Sequence, residues 1–151
     1  MMSMFLNEAT KLRAQTIIKG LEKRNMHGVF CATKEDALKQ ALSYIKEGSS
    51  VSWGGSMSVS EIGLMDALKE GNYQLIDRSV AKNFDEQREI FAKAVLSDYF
   101  LMSSNAITLD GELINIDGTG NRVACLSYGP KHVIMIVGMN KVVNDVEDGI
   151  K

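Results

Sequence analysis

The feature that most constrains the fold is an alternation of helical and strand patterns along the first hundred residues. Apolar residues spaced three and four apart predict amphipathic helices, and short apolar runs between them predict strands. The predicted helices lie within residues 14–28, 33–48, 58–71 and 83–95, and the predicted strands are 29–32, 50–53, 73–76 and 99–102. Such an alternation argues for an α/β domain whose mainly parallel sheet is covered by helices on both faces.

Two β-rich runs then interrupt the alternation. Residues 106–109 and 112–116 are joined by the dipeptide Asp110-Gly111, which is the strongest short signal for a hairpin. We therefore expect an antiparallel hairpin inserted in the α/β series. The continuously apolar run at 132–138 predicts a buried strand, and a last helical pattern begins at Val142.

Length and charge limit the classes of protein that the chain can represent. Its 151 residues fit a single domain spanning 1–151. Seventeen Lys and Arg oppose 19 Asp and Glu, and only 7% of residues are aromatic, so a nucleic-acid partner is disfavoured. No apolar stretch approaches the roughly 18 residues that a membrane span requires. Because the N-terminus also lacks a basic segment followed by an apolar one, we expect a cytoplasmic protein.

The two cysteines indicate structural thiols rather than ligands. Cys31 and Cys125 each lie in an apolar run, where a thiol behaves as a small hydrophobe. There is no C-x-x-C motif and no Cys/His cluster, so the sequence predicts no metal site and no cofactor.

The first candidate site follows the predicted strand that ends at Trp53. Gly54 and Gly55 free the backbone to turn its amides inward, and Ser56 and Ser58 add hydroxyl groups at the start of the next predicted helix. A phosphate or carboxylate would suit this loop, although it is not a P-loop because Gly-Lys-Ser/Thr is absent. The alternative is an ordinary strand-to-helix turn with a capping serine.

A second candidate, Ser103-Ser104-Asn105, follows the strand predicted at 99–102. Ligands of open α/β sheets bind at the carboxyl ends of the strands, so these small polar side chains suit a ligand edge. They suit an ordinary loop equally well.

Two carboxylates in the third candidate region, residues 110–122, could act as base or nucleophile. They are Glu112 and Asp117, whereas Asp110 is most simply the turn residue. Alternation along the returning strand sends Glu112 and Asp117 to opposite faces, so the two need not meet.

The end of this region offers a second cradle for an anion. Gly118 and Gly120 open the backbone, Asn121 adds an amide, and Arg122 could clamp a carboxylate or phosphate through two hydrogen bonds. A surface salt bridge is the alternative for Arg122. A dinucleotide fingerprint is rejected because its third glycine position is Val123 and a hairpin precedes it.

Taken in order, several uncommon strings resemble the LUD domain family, of the lactate-utilisation protein C type. They are 52–56 (SWGGS), 103–108 (SSNAIT), 110–112 (DGE), 115–118 (NIDG), 120–124 (GNRVA) and 138–141 (GMNK). The resemblance runs from about Asn7 onward. It implies a three-layer α/β/α fold of the glucosamine-6-phosphate isomerase, ribose-5-phosphate isomerase and CoA-transferase type, in agreement with the inserted hairpin.

The resemblance also implies a role in the utilisation of L-lactate or a related organic acid, with an anionic small molecule bound at the carboxyl ends of the strands. It leaves the reaction open, and with it the question of whether the protein is an enzyme. The alternative is a noncatalytic structural or regulatory subunit beside lactate-oxidising iron–sulfur partners, and a homo-oligomer is also open. Family members usually continue beyond the string at 138–141, so we expect that the C-terminus is truncated.

Overall fold

The structure is a computed structural model that describes the backbone of residues 2–55 and 57–151 and the side chains of residues 8–55 and 58–151. The helices are α1 (Met2–Lys23), α2 (Lys34–Tyr44), α3 (Met57–Glu61), α4 (Leu64–Glu70), α5 (Phe84–Val95), α6 (Asn121–Ser127) and α7 (Val146–Ile150). The strands are β1 (Ser50–Trp53), β2 (Gln74–Ile76), β3 (Tyr99–Met102), β4 (Ala106–Thr108), β5 (Leu113–Ile114), β6 (His132–Met135) and β7 (Val142–Val143). Short 3-10 turns lie at Arg78–Val80 and Met139–Lys141.

The elements form two compact units. The terminal unit comprises Met1–Ala32, Ser104–Asn115 and Val137–Lys151, and the sheet unit comprises Thr33–Ser103 and Ile116–Ile136. No helix of the described residues combines the length and the apolar character that crossing a bilayer demands.

The sheet unit contains a parallel four-stranded sheet in the order β2-β1-β3-β6. Val51 pairs with Leu75 on one side and with Tyr99 on the other, so β1 lies inside the sheet. The predicted α/β architecture with a mainly parallel sheet is confirmed.

Side-chain alternation gives this sheet two apolar faces. Val51 and Leu101 pack against a cluster from α2, α3 and α4, whereas Phe100 and Met102 pack against Cys125 of α6. Helices therefore cover both faces of the sheet. The apolar runs around the two cysteines predict buried thiols, and this is confirmed for Cys125, whereas Cys31 is only partly buried.

The terminal unit contains the hairpin, with strand order β5-β4-β7. Strands β4 and β5 are antiparallel, which confirms the predicted hairpin. The predicted two-residue turn is wrong, because the Gly111 amide donates to the Thr108 carbonyl (3.0 Å) and the Thr108 amide donates to the Glu112 carbonyl (2.9 Å). Three residues thus form the loop, and Gly111 supplies its left-handed position at φ +82°.

Two further predictions about strands and helices are wrong. Residues 29–32 form no strand in the described chain, and Val29 is 46% exposed. An apolar run becomes a strand only where a neighbour takes up its backbone hydrogen bonds. The pattern at the C-terminus divides into β7 and α7, with the Asp145 carboxylate capping α7 by accepting from the Asp148 amide (2.9 Å).

The helix predicted over 58–71 is interrupted at Gly63. That residue has φ +79°, which ends α3 and precedes α4. A β-carbon at Gly63 would meet only a Leu38 methyl group, at 4.0 Å, so backbone conformation rather than close packing explains the glycine. Ser58 and Glu61 have the spacing of a capping box, which predicts Ser58 as the N-cap of this helix. That prediction is wrong, because α3 begins at Met57 and Ser58 lies inside the helix.

Candidate functional site

The loop that follows β1 packs against an arginine side chain. The Gly54 amide donates to the Leu101 carbonyl (2.9 Å) and so extends the pairing of β1 with β3. Gly54 is buried, and a β-carbon there would lie 3.3 Å from Cδ of Arg122. Because Gly54 has no side chain, the aliphatic stem of Arg122 can lie against the backbone there. The residue before Gly54 is the half-buried Trp53.

A second arginine, Arg78, lies beside the exposed Gly55. A β-carbon on Gly55 would be 3.2 Å from Nη2 of Arg78. The guanidinium of Arg78 is exposed and has no hydrogen-bond or ion-pair partner among the residues that the structure describes. Sequence reasoning missed this residue. Its position two residues after the end of β2 is a weak signal, because the sequence alone does not show that β2 neighbours β1.

The turn that carries Arg78 is held by the carboxylate of Asp77. Oδ1 of Asp77 accepts hydrogen bonds from the Ser79 amide (2.8 Å) and the Ser79 hydroxyl (2.6 Å). The hydrogen bonds from the Ser79 hydroxyl and amide hold the pKa of Asp77 below its ordinary value, although burial alone would raise it. The positive charge of Lys69 lowers the pKa of Asp77 further. Asp77 is therefore ionised at neutral pH and fixes the turn.

A cleft of about 340 Å³ lies in the same part of the sheet unit. Its lining consists of Trp53, Ser60, Met65, Asp66, Lys69, Asp77 and Ser79. The lining combines apolar surface with groups of both charges, and the volume is in the range of small-molecule sites. A cleft of about 410 Å³, lined in part by Lys46, Asp98 and His132, lies where the strands begin. We take the smaller cleft as the candidate because it lies at the carboxyl ends of the strands.

Arg122 and Asp117 form a network at the start of α6, a helix that the sequence analysis did not predict. Nε of Arg122 donates to Oδ1 of Asp117 (2.8 Å), and the Val123 amide donates to Oδ2 (2.6 Å). The Arg122 guanidinium also donates to the carbonyls of Ser103 (3.1 Å) and Ile116 (3.3 Å). The network therefore ties the end of β3 to the loop that precedes α6.

This network is largely withdrawn from water. The side chains of Arg122 and Asp117 are only 14% and 10% exposed. Burial would raise the pKa of Asp117, but the hydrogen bonds from the Val123 amide and from Arg122, with the charge of Arg122, lower it below its ordinary value. Asp117 is thus a paired carboxylate, and its role as base or nucleophile stays a prediction.

The loop at 118–120 is exposed and glycine-rich. A β-carbon at Gly118 or Gly120 would meet nothing within 4 Å, and Gly120 has φ +79° just before α6. Oδ1 of Asn121 accepts from the Thr119 hydroxyl (3.1 Å) and the Arg122 amide (2.9 Å). The side chain of Asn121 therefore stabilises the loop locally.

Several predicted site residues lie in the terminal unit. The Ser104 hydroxyl is within hydrogen-bond distance of the Ala106 carbonyl (2.9 Å) and the Ile114 carbonyl (3.0 Å), while Asn105 is exposed. The Thr108 hydroxyl donates to Oε1 of Glu112 (3.1 Å), so that carboxylate has a partner within its own hairpin.

The remaining predicted residues are placed as follows. Trp53, Gly54, Gly55, Ser58, Ser103, Asp117, Gly118, Gly120, Asn121 and Arg122 belong to the sheet unit. Ser56 lies outside the described residues. No group of three or more His, Cys, Asp or Glu side chains converges in the part of the chain that the structure describes.

Comparison with known proteins identifies one family. The family model of the LUD domain matches residues 14–151, which is most of the chain. Neither a curated protein nor a solved structure matched.

Proposed function

Because the chain belongs to the LUD domain family, which suggests a role related to lactate utilisation, we propose that it binds a small organic anion at the carboxyl ends of β1 and β2. The observation that carries the proposal is Arg78. Its exposed guanidinium lies next to Gly55 and has no partner among the described residues. A carboxylate or phosphate could accept from this guanidinium and from backbone amides that no side chain shields.

The two arginines have different roles in this proposal. Arg122 is already paired with Asp117, so it holds the backbone around Gly54, whereas Arg78 supplies the charge that attracts the ligand. The exposed backbone at Gly118 and Gly120 completes the edge of the site, and the cleft beside Trp53 receives the rest of the molecule.

The test uses Trp53, the one tryptophan of the sequence, as an internal probe. The purified protein is titrated with L-lactate, pyruvate and inorganic phosphate while tryptophan fluorescence and heat release are recorded. Arg78→Ala should weaken binding by about tenfold or more, because a hydrogen bond to a charged group is worth roughly 1.5–3 kcal/mol. Gly55→Asp should abolish binding by placing a carboxylate at the anion position.

Arg88→Ala is the matched control. Arg88 is an exposed arginine on α5, so its loss changes the net charge as Arg78→Ala does without touching the loop. If Arg78→Ala and Arg88→Ala bind the same anion equally well, the proposed site is wrong.

The exposed apolar side chains of the sheet unit favour a second candidate function, that of a subunit in a lactate-oxidising assembly with iron–sulfur partners. Val80, Phe84, Leu96 and Tyr128 are 65%, 72%, 79% and 89% exposed. Large apolar side chains exposed to this extent suit an interface. Co-purification from lactate-grown cells should recover an iron–sulfur protein with the native chain and lose it with Phe84→Ser or Leu96→Ser. Light scattering of the purified protein would instead reveal a homo-oligomer.

We propose that the protein is cytoplasmic, because its cysteines are free thiols. Cys125 is a buried thiol, and burial raises its pKa. A buried cysteine of this kind is unreactive and persists in a reducing compartment.

A further inference from the structure

We infer that Asp77 is a positioning residue, which holds the guanidinium of Arg78 beside Gly55 through its hydrogen bonds to Ser79. The inference rests on the proposed anion site and deepens it. The turn Arg78–Val80 is a single 3-10 turn between β2 and the extended segment before α5, so its own backbone gives it little rigidity.

The carboxylate of Asp77 supplies what this turn lacks. Both groups that Ser79 can donate, its amide and its hydroxyl, point to the same oxygen, Oδ1 of Asp77. Arg78 is the residue between them in the chain, so these two bonds fix its backbone from both sides. The Val80–Ala81 end of the turn adds one backbone bond, from the Ala81 amide to the Arg78 carbonyl (3.3 Å).

The charge of Asp77 makes the inference testable without a known ligand. As a carboxylate near Arg78, Asp77 lowers the local positive potential, so simple electrostatics predicts that its removal attracts anions more strongly. If Asp77 positions Arg78, a variant that cannot accept the hydrogen bonds from Ser79 should instead attract anions less strongly. Asp77→Asn and Asp77→Ala carry the same charge and differ in whether an acceptor oxygen remains.

The experiment measures quenching of Trp53 fluorescence by iodide, with neutral acrylamide as the reference for accessibility. Trp53 directly precedes Gly54, and it lines a cleft together with Asp77 and Ser79, so its fluorescence reports on this part of the protein. We expect Arg78→Ala to lower the iodide-to-acrylamide quenching ratio by about twofold at low ionic strength, since one charge is removed at short range. Asp77→Asn should equal or exceed the native ratio, and Asp77→Ala should fall toward Arg78→Ala.

Equal ratios for Asp77→Asn and Asp77→Ala would overturn the inference while leaving the anion site intact. If Arg78→Ala matches the Arg88→Ala control, the anion site itself fails, and with it the inference. Ser79→Ala keeps the native charge and the amide bond but loses the hydroxyl bond, so its ratio should lie below the native one. This variant also decides the matter if Asp77→Ala does not fold, because an unchanged Ser79→Ala ratio would then count against positioning.

Discussion

Removing the carboxylate of Asp117 should destabilise the sheet unit more than any exposed carboxylate can. Asp117→Ala deletes the hydrogen bonds to Nε of Arg122 (2.8 Å) and to the Val123 amide (2.6 Å). It also leaves a guanidinium that is 14% exposed without its counter-ion. Breaking a fully buried pair costs about 3–5 kcal/mol, and bonds to charged groups are worth about 1.5–3 kcal/mol each. Because water reaches part of this pair, we expect a loss of about 2–4 kcal/mol.

Urea unfolding followed by Trp53 fluorescence measures this loss, since Trp53 lies in the same unit as Asp117. Asp117→Asn should lose roughly half as much, because the amide oxygen can still accept from Val123 while the charge is gone. Glu89→Ala, at an exposed position of α5, is the control and should change the free energy of unfolding by less than about 0.5 kcal/mol. A loss below about 1 kcal/mol for Asp117→Ala would refute the argument that the pair ties β3 to α6.

Two further predictions concern packing and acid stability. Gly20→Ala should lower the melting temperature by about 4 °C or more, because the new β-carbon would overlap the backbone carbonyl of Asp110. Gly118→Ala is the control and should leave the melting temperature unchanged, because a β-carbon at Gly118 meets nothing within 4 Å. A higher melting temperature for Gly20→Ala would contradict the packing of α1 on the hairpin. The hydrogen bond from the Ser50 amide, and to a smaller extent the one from Lys131, lowers the pKa of Asp98 to about 2. The contribution of Asp98 to the free energy of unfolding is therefore present above the ordinary pKa of 3.8 and is lost as the pH falls toward 2. The difference in unfolding free energy between the native protein and Asp98→Asn should therefore shrink across that window in urea titrations, and a constant difference would contradict it.

The parts of the fold that could be predicted are those set by local pattern. Thr33 and Asn83 accept from the Asp36 amide (3.1 Å) and the Glu86 amide (2.9 Å), so the starts of α2 and α5 follow from short-range capping chemistry. The strands β1 and β3 match their apolar runs to the residue. Residues 29–32 have the same composition as a strand, but pairing with a distant segment decides the outcome, and no local pattern contains that information.

The candidate site was predicted less completely because its geometry depends on contacts between segments far apart in the chain. The sequence indicated Gly54, Gly55 and Arg122, and the structure places Gly54 against the stem of Arg122. It did not indicate α6, since a seven-residue helix after a glycine gives a weak periodic signal. Arg78 was missed because an arginine in a three-residue turn has no motif, and only the strand order places it beside Gly55.

The pairing of Arg122 limits how tightly a ligand as small as lactate can bind. The guanidinium of Arg78, which has no partner among the described residues, offers roughly 1.5–3 kcal/mol, whereas association costs about 4 kcal/mol or more in lost freedom. Lactate alone should therefore bind weakly, and tight binding requires further contacts. The cleft of about 340 Å³ beside Trp53 and Met65 has room for them, since lactate fills only a fraction of that volume. We therefore expect an organic anion with an additional apolar or hydroxylated group to bind more tightly than lactate.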